Sequence, residues 1–139
     1  MRFDKLYLQN FRCYDELELE FDKNMTVIVG ENGKGKTAIL DALAISLEPY
    51  LRAFGCKGRN MSERDVRRIK DAGGENATRI LRMKSKYPVG IKVDGWQNGV
   101  GFSWSRELKS ERGRTTSNKA KELADYGKAL YEAINSIND

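Results

Sequence analysis

The residues best suited to chemistry are Gly30-Glu31-Asn32-Gly33-Lys34-Gly35-Lys36-Thr37. They follow an apolar run, Met25-Thr26-Val27-Ile28-Val29, and open a helical pattern, Ala38-Ile39-Leu40-Asp41-Ala42-Leu43-Ala44. This is the G-x-x-x-x-G-K-[ST] phosphate-binding loop between a strand and a helix. Glycines let successive backbone N–H groups turn inward around an anion, and the helix start adds its dipole and free donors. Lys36 is placed to reach the β- and γ-phosphates, and the Thr37 hydroxyl to ligate Mg²⁺. Asn32, Gly33, Gly35 and Ala38 complete the loop that would hold the nucleotide.

Composition excludes much else. The 139 residues fit one domain, and 32% charged with 40% hydrophobic residues reads as soluble and globular. No apolar run is long enough to span a membrane, and Met1-Arg2-Phe3-Asp4-Lys5 lacks the core of a signal peptide, so a cytoplasmic location is expected. With no histidine, and with Cys13 and Cys56 isolated, zinc sites of usual spacing and imidazole-assisted nucleophiles are excluded. Any chemistry falls to phosphates, a metal, Lys and carboxylates. A formal charge of +5 is compatible with nucleotide or nucleic-acid partners without establishing either.

Several elements must position the loop. Leu6 and Leu8 alternate with polar neighbours within Arg2–Asn10, and Leu17, Leu19 and Phe21 alternate with glutamates, giving two strands each with one buried face. Met25–Val29, apolar on both faces, reads as a central strand. The helix after the loop carries Ile39, Leu40, Leu43, Ala44 and Leu47 as its core stripe and ends before Pro49. Ser62-Glu63-Arg64-Asp65 has the shape of a capping box, predicting a short basic helix from Asp65 to Ala72, stopped by Gly73-Gly74. That helix reads as a solvated face before it reads as a nucleotide or nucleic-acid contact. Thr78–Lys84, Val89–Val93 and Val100–Trp104 read as antiparallel strands, with turn signals at Asp94-Gly95 and Asn98-Gly99 around Trp96 and Gln97. Arg106–Lys121 is a basic loop, either a solvated linker or a contact for a phosphate backbone through Arg106, Lys109, Arg112 and Arg114. Asn118 is placed to cap a final helix whose Ala120, Leu123, Ala124, Gly127, Leu130, Tyr131, Ile134 and Ile137 share one face.

Leu6-Tyr7-Leu8-Gln9-Asn10-Phe11-Arg12, an amphipathic strand, an apolar strand, the phosphate loop and Ile39-Leu40-Asp41-Ala42-Leu43 together resemble the N-terminal lobe of RecF/SMC-type ATPases of the ABC class. The wording is most similar to PtuA-type ATPases of Septu and retron-linked anti-phage systems, and the strong match covers the first third of the chain. The resemblance implies an α/β P-loop NTPase lobe, antiparallel strands plus a central strand, loop and helix, incomplete without a C-terminal half. Read from its residues, the single lobe comprises 1–49 (strands, loop, helix), 50–76 (basic connection with a short helix), 77–108 (antiparallel strands) and 109–139 (basic loop and helix). The resemblance implies ATP and Mg²⁺ as cofactors, and Arg12 as a nucleotide ligand. Lys34 stands where the family has a small residue, and either adds a phosphate contact or extends into solvent. It also implies a homodimer or a partner subunit, DNA as a possible further partner, and no membrane.

Hydrolysis in this class needs an apolar strand ending in Asp-Glu (Walker B) and a signature motif. Val89–Asp94, with Lys92 inside and Gly95 after, is a poor imitation, and Ala72-Gly73-Gly74-Glu75 reads only as a helix stop. The sequence is therefore expected to be the front half of such an ATPase, binding nucleotide without efficient turnover. The unpaired edge of Met25–Val29 would then favour association. A stand-alone nucleotide-binding regulator and a basic nucleic-acid-binding module are the competing readings.

Overall fold

The computed structural model describes residues 1–71, 82–118 and 120–138. Its centre is an antiparallel sheet in the order β2-β1-β5-β6-β7, built from β1 (Arg2–Phe11), β2 (Tyr14–Glu20), β5 (Val89–Gln97), β6 (Val100–Leu108) and β7 (Thr116–Asn118). Period-two patterning sets the register, because a one-residue slip would turn every apolar side chain to water. Leu19, Leu6, Val93 and Trp104 lie opposite one another across four strands, as do Leu17, Leu8, Ile91 and Arg106. Asn98 and Gly99, both at positive φ, make the two-residue hairpin between β5 and β6 that twisted strands favour. Asp94-Gly95 makes no turn and belongs to β5, so Trp96 and Gln97 close a strand instead of lying within a loop.

Helix α1 (Lys36–Ser46) lies on the apolar face of this sheet. Ala38, Ile39, Ala42 and Ile45 are buried, whereas Leu40, expected in the stripe, is 60% exposed. Ala44, also expected in the stripe, is exposed as well, so the face that meets the sheet is rotated from the one the pattern predicts. Trp104 Nε1 donates to the Ser46 carbonyl at 2.8 Å, tying the helix end to β6. The helix ends before Pro49, which has no N–H for the Ile45 carbonyl and sits instead in the first turn of α2 (Glu48–Ala53). Helix α3 (Lys121–Asn138) packs on α2, and Gly127 allows it. A Cβ there would stand 3.1 Å from both Ala53 Cβ and Tyr50 Cδ2. Ala120 and Leu123 are buried at its start, while Tyr131, Ile134 and Ile137 on the same stripe are exposed. Asn118 does not cap this helix: it is the last residue of β7.

Two further expectations need correction. The capping box at Ser62 forms, but it closes only one 3-10 turn, Glu63–Asp65. Val66 is already extended and bridges Phe11, and Arg68–Asp71 is a strand, β3, paired with β4 (Arg82–Ser85). Backbone pairing of Arg67 N–H with the Asn10 carbonyl draws this segment away from helix. The predicted helix end at Ala72, the Gly73-Gly74 stop and residues 78–81 lie outside the described residues.

Met25–Val29 forms no strand and joins no ladder among the described residues, with Met25, Val27 and Val29 at 74%, 66% and 86% exposure. An apolar strand needs neighbours for its backbone groups and side chains, and the other described strands are paired elsewhere. The run therefore adds little to the stability of this chain. Val27→Ser should shift unfolding free energy by no more than about 0.5 kcal/mol. Ile91→Ala, at a 1% exposed position, should cost about 2–5 kcal/mol in urea titrations.

Candidate phosphate-binding site

The site is assembled by a hairpin corner pressed against the start of α1. β1 and β2 are joined through Arg12 and Cys13, with Phe11 paired to Tyr14 and Arg12 at φ 52°. This brings Cys13 and Tyr14 onto Gly35, the residue preceding the helix. Gly35 is at φ 98°, and a Cβ on it would lie 2.5 Å from Tyr14 Oη and 2.8 Å from Cys13 Sγ. Tyr14 Oη donates to the Gly35 carbonyl at 3.3 Å, and burial against the loop pushes the phenol pKa up, with Cys13 reinforcing it. A side chain at position 35 is thus excluded by both conformation and space.

The consequence is a helix that starts without a side-chain cap. The first amides of α1, from Lys36 to Ala38, have no carbonyl one turn back within the helix, and glycine offers no oxygen to replace it. Lys36 Nζ folds over the loop and donates to the Gly30 carbonyl and, at 3.1 Å, to that of Glu31. An ammonium held by loop carbonyls and a set of amides unpaired among the described residues converge on one cleft of about 290 Å³. Arg12, Asn32, Gly33, Gly35, Lys36, Thr37 and Ala38 line it together with Cys13. Lys34, alone of the predicted set, does not line the cleft and is exposed. Cys13 and Tyr14 were not singled out in the sequence, since only the hairpin corner carries them there.

Arg12 reaches the cleft wall from within a charge cluster. Asp65, fully buried, accepts from Arg12 Nε at 3.1 Å and Nη2 at 2.9 Å through Oδ1, and from Arg59 Nη2 at 3.0 Å. Asp41 Oδ2 of α1 lies 2.7 Å from Arg12 Nη2 and 3.5 Å from Arg59 Nη1. Partial burial works to lower the Arg12 pKa, but the bonds to Asp65 and Asp41 outweigh it and raise it. None of these three partners was predicted. Asp41 had a signal, being one helical turn beyond Thr37 on the same face.

The basic loop divides. Lys109, Arg112 and Arg114 are exposed between β6 and β7. Arg106 cannot contact a phosphate backbone: it is 1% exposed within β6. Its Nη1 donates to the carbonyls of Ile45 and Arg59, and its Nη2 to Asn60 Oδ1, with Glu48 at 3.3 Å. Burial lowers its pKa, with the Glu48 carboxylate opposing that shift. A guanidinium bound to the last-turn Ile45 carbonyl stabilises the C-terminal end of α1. Gln97 lies away from the cleft, its Nε2 3.5 Å from Tyr50 Oη. Among the described residues no group of three or more His, Cys, Asp or Glu could hold a metal, and no helix is long and apolar enough to cross a membrane.

Residues 5–138 match the AAA domain family, and the chain belongs to it. Its fold is that of the N-terminal lobe of a RecF/SMC-like P-loop NTPase. It is 31% identical over 93 residues to the DNA replication and repair protein RecF of Oceanobacillus iheyensis, covering 67% of this chain and 24% of that protein. It is 29% identical over 130 residues to the DNA double-strand break repair Rad50 ATPase of Thermococcus kodakarensis, 94% of this chain and 14% of the relative. Structural maintenance of chromosomes protein 6A of Arabidopsis thaliana is 44% identical over 131 residues, 87% and 12% respectively. The chain thus spans a quarter or less of these relatives. A solved chain from work on ATP-driven dimerization and DNA-stimulated activation of SMC ATPases aligns with a TM-score of 0.59 at 20% identity. That alignment covers 93% of this chain and 80% of the other.

The contact at Gly35 gives a direct test of the corner. Gly35→Ala should cost about 1–3 kcal/mol in chemical denaturation, whereas Lys34→Ala, at an exposed neighbour, should be near neutral.

Proposed function

We propose that this chain is the ATP- and Mg²⁺-binding lobe of a RecF/SMC-like ATPase. The observation that carries the reading is the convergence of unpaired α1 amides, the Lys36 ammonium and the Arg12 guanidinium on one cleft. That donor set suits a triphosphate, which offers oxygens and negative charge and needs no acceptor from the protein. Lys36 would hold the outer phosphates, Gly33, Gly35 and Ala38 would contribute backbone, and Asn32 and Arg12 would close the sides. The Thr37 hydroxyl would ligate Mg²⁺, which when bound would neutralise phosphate charge. Lys34 extends into solvent.

Turnover is assigned to a C-terminal half carrying the Walker B carboxylates and the signature motif, supplied by the same or a partner chain. The repair functions named for the RecF and Rad50 relatives support a DNA-linked role, with the exposed Lys109, Arg112 and Arg114 as candidate phosphate contacts. The ATP-driven dimerization named for the solved SMC ATPases supports a nucleotide-dependent dimer. Within that class, the resemblance of the phosphate-loop region to PtuA-type ATPases supports a place in an anti-phage defence system.

Calorimetry with Mg·ATP tests the binding half of the proposal. The chain should bind, and Lys36→Ala should weaken affinity by about 10- to 100-fold, the scale of a lost charge-assisted hydrogen bond. Hydrolysis should stay near background for the chain alone and appear when a C-terminal half is added. Equal affinity for both proteins, or brisk turnover by the chain alone, would overturn the assignment.

A further inference from the structure

We infer that Asp65 is a positioning residue for nucleotide binding, holding Arg12 so that one edge of its guanidinium stays open to the phosphate cleft. The inference rests on the nucleotide reading above and assigns a role to a residue 53 positions from Arg12, in a segment that the sequence pattern reads as a helix start.

The argument begins with donors. A guanidinium has five N–H groups on three nitrogens. Asp65 Oδ1 takes Nε and Nη2, and Asp41 Oδ2 takes Nη2 again, while Nη1 has no protein acceptor among the described residues. Arg12 nevertheless lines the cleft. A fork fastened along one edge keeps its plane fixed, which a single-point contact cannot do.

Asp65 is itself held on every side. Its Oδ2 accepts from the Ser62 backbone N–H at 3.0 Å and from Ser62 Oγ at 3.3 Å, and its Oδ1 from Arg59 at 3.0 Å. Its own carbonyl accepts from the Arg12 backbone N–H at 2.9 Å, and the next residue bridges Phe11. Main chain and side chain of Asp65 therefore grip the same residue. A carboxylate needed only to start the 3-10 turn would not have to reach Arg12 at all. The capping box has been turned inward so that its acid serves the hairpin corner.

A double-mutant cycle read by Mg·ATP calorimetry separates positioning from bulk stability. Asp65→Asn and Arg12→Ala should each weaken affinity about tenfold, the scale expected of a lost charge-assisted contact or its support. The Arg12→Ala/Asp65→Asn double variant should be no weaker than Arg12→Ala, because Asp65 acts only through Arg12. Arg12→Lys, which keeps charge but loses the fork, should be as weak as Arg12→Ala, and it keeps the test open should Asp65→Asn fail to fold. Wild-type affinity in a folded Asp65→Asn or in Arg12→Lys, or an undiminished Asp65→Asn effect without Arg12, would overturn the inference. Those results would leave the nucleotide assignment standing if Lys36→Ala still lost binding. Failure of the unaltered chain to bind Mg·ATP would sink both.

Discussion

The close approach of Tyr14 and Cys13 to the backbone of Gly35 is the constraint on which the rest of the structure depends. It requires a residue with no side chain, and such a residue has no oxygen with which to cap α1. The same contact fixes the β1–β2 corner over the loop, which delivers Arg12 to the cleft wall. One missing Cβ thus couples helix start, hairpin position and cleft composition. The sheet exists to hold that corner still: β1 lies between β2 and β5, and its Leu6 and Leu8 are fully buried.

Charge is distributed by a second constraint, that buried ions must be paired. Two arginines and two aspartates close on one another beside the cleft, and a separate guanidinium, Arg106, ties β6 to the end of α1 and to Glu48. Arginine suits both places because its planar fork serves several acceptors at once. The net positive charge of the chain is therefore not simply a surface field. Part of it is structural, part lines the cleft, and the loop between β6 and β7 carries another exposed part.

Much of this was legible in residue order, and the failures have physical causes. Alternation placed β1, β2, β5 and β6 because one face of each meets a core and the other meets water. The phosphate loop placed α1 because its glycines are needed for backbone geometry, a local matter. Arg106 was misread because a basic residue beside a basic loop gives no sign that a helix end and a carboxylate wait to receive it. Ser62–Asp65 was misread because the local capping signal is real, yet pairing with Asn10 and Phe11, distant in sequence, takes the following residues. Met25–Val29 has the composition of a central strand, but composition cannot supply the neighbour that makes one. Of the cleft residues, those of the loop are readable as a motif, whereas Arg12 and Cys13 lie outside it. The carboxylates that hold Arg12 are not readable, since they come from two other elements.

The central claim is that the unpaired amides at the start of α1 are the nucleotide-gripping surface, and amide hydrogen exchange measures those amides themselves. With Mg·ATP, exchange should slow at Gly33 to Ala38 and at the Arg12–Cys13 corner, leaving the solvent face of β6 unchanged. Unaltered exchange across the loop at saturating Mg·ATP, or slowing confined to another part of the chain, would contradict it.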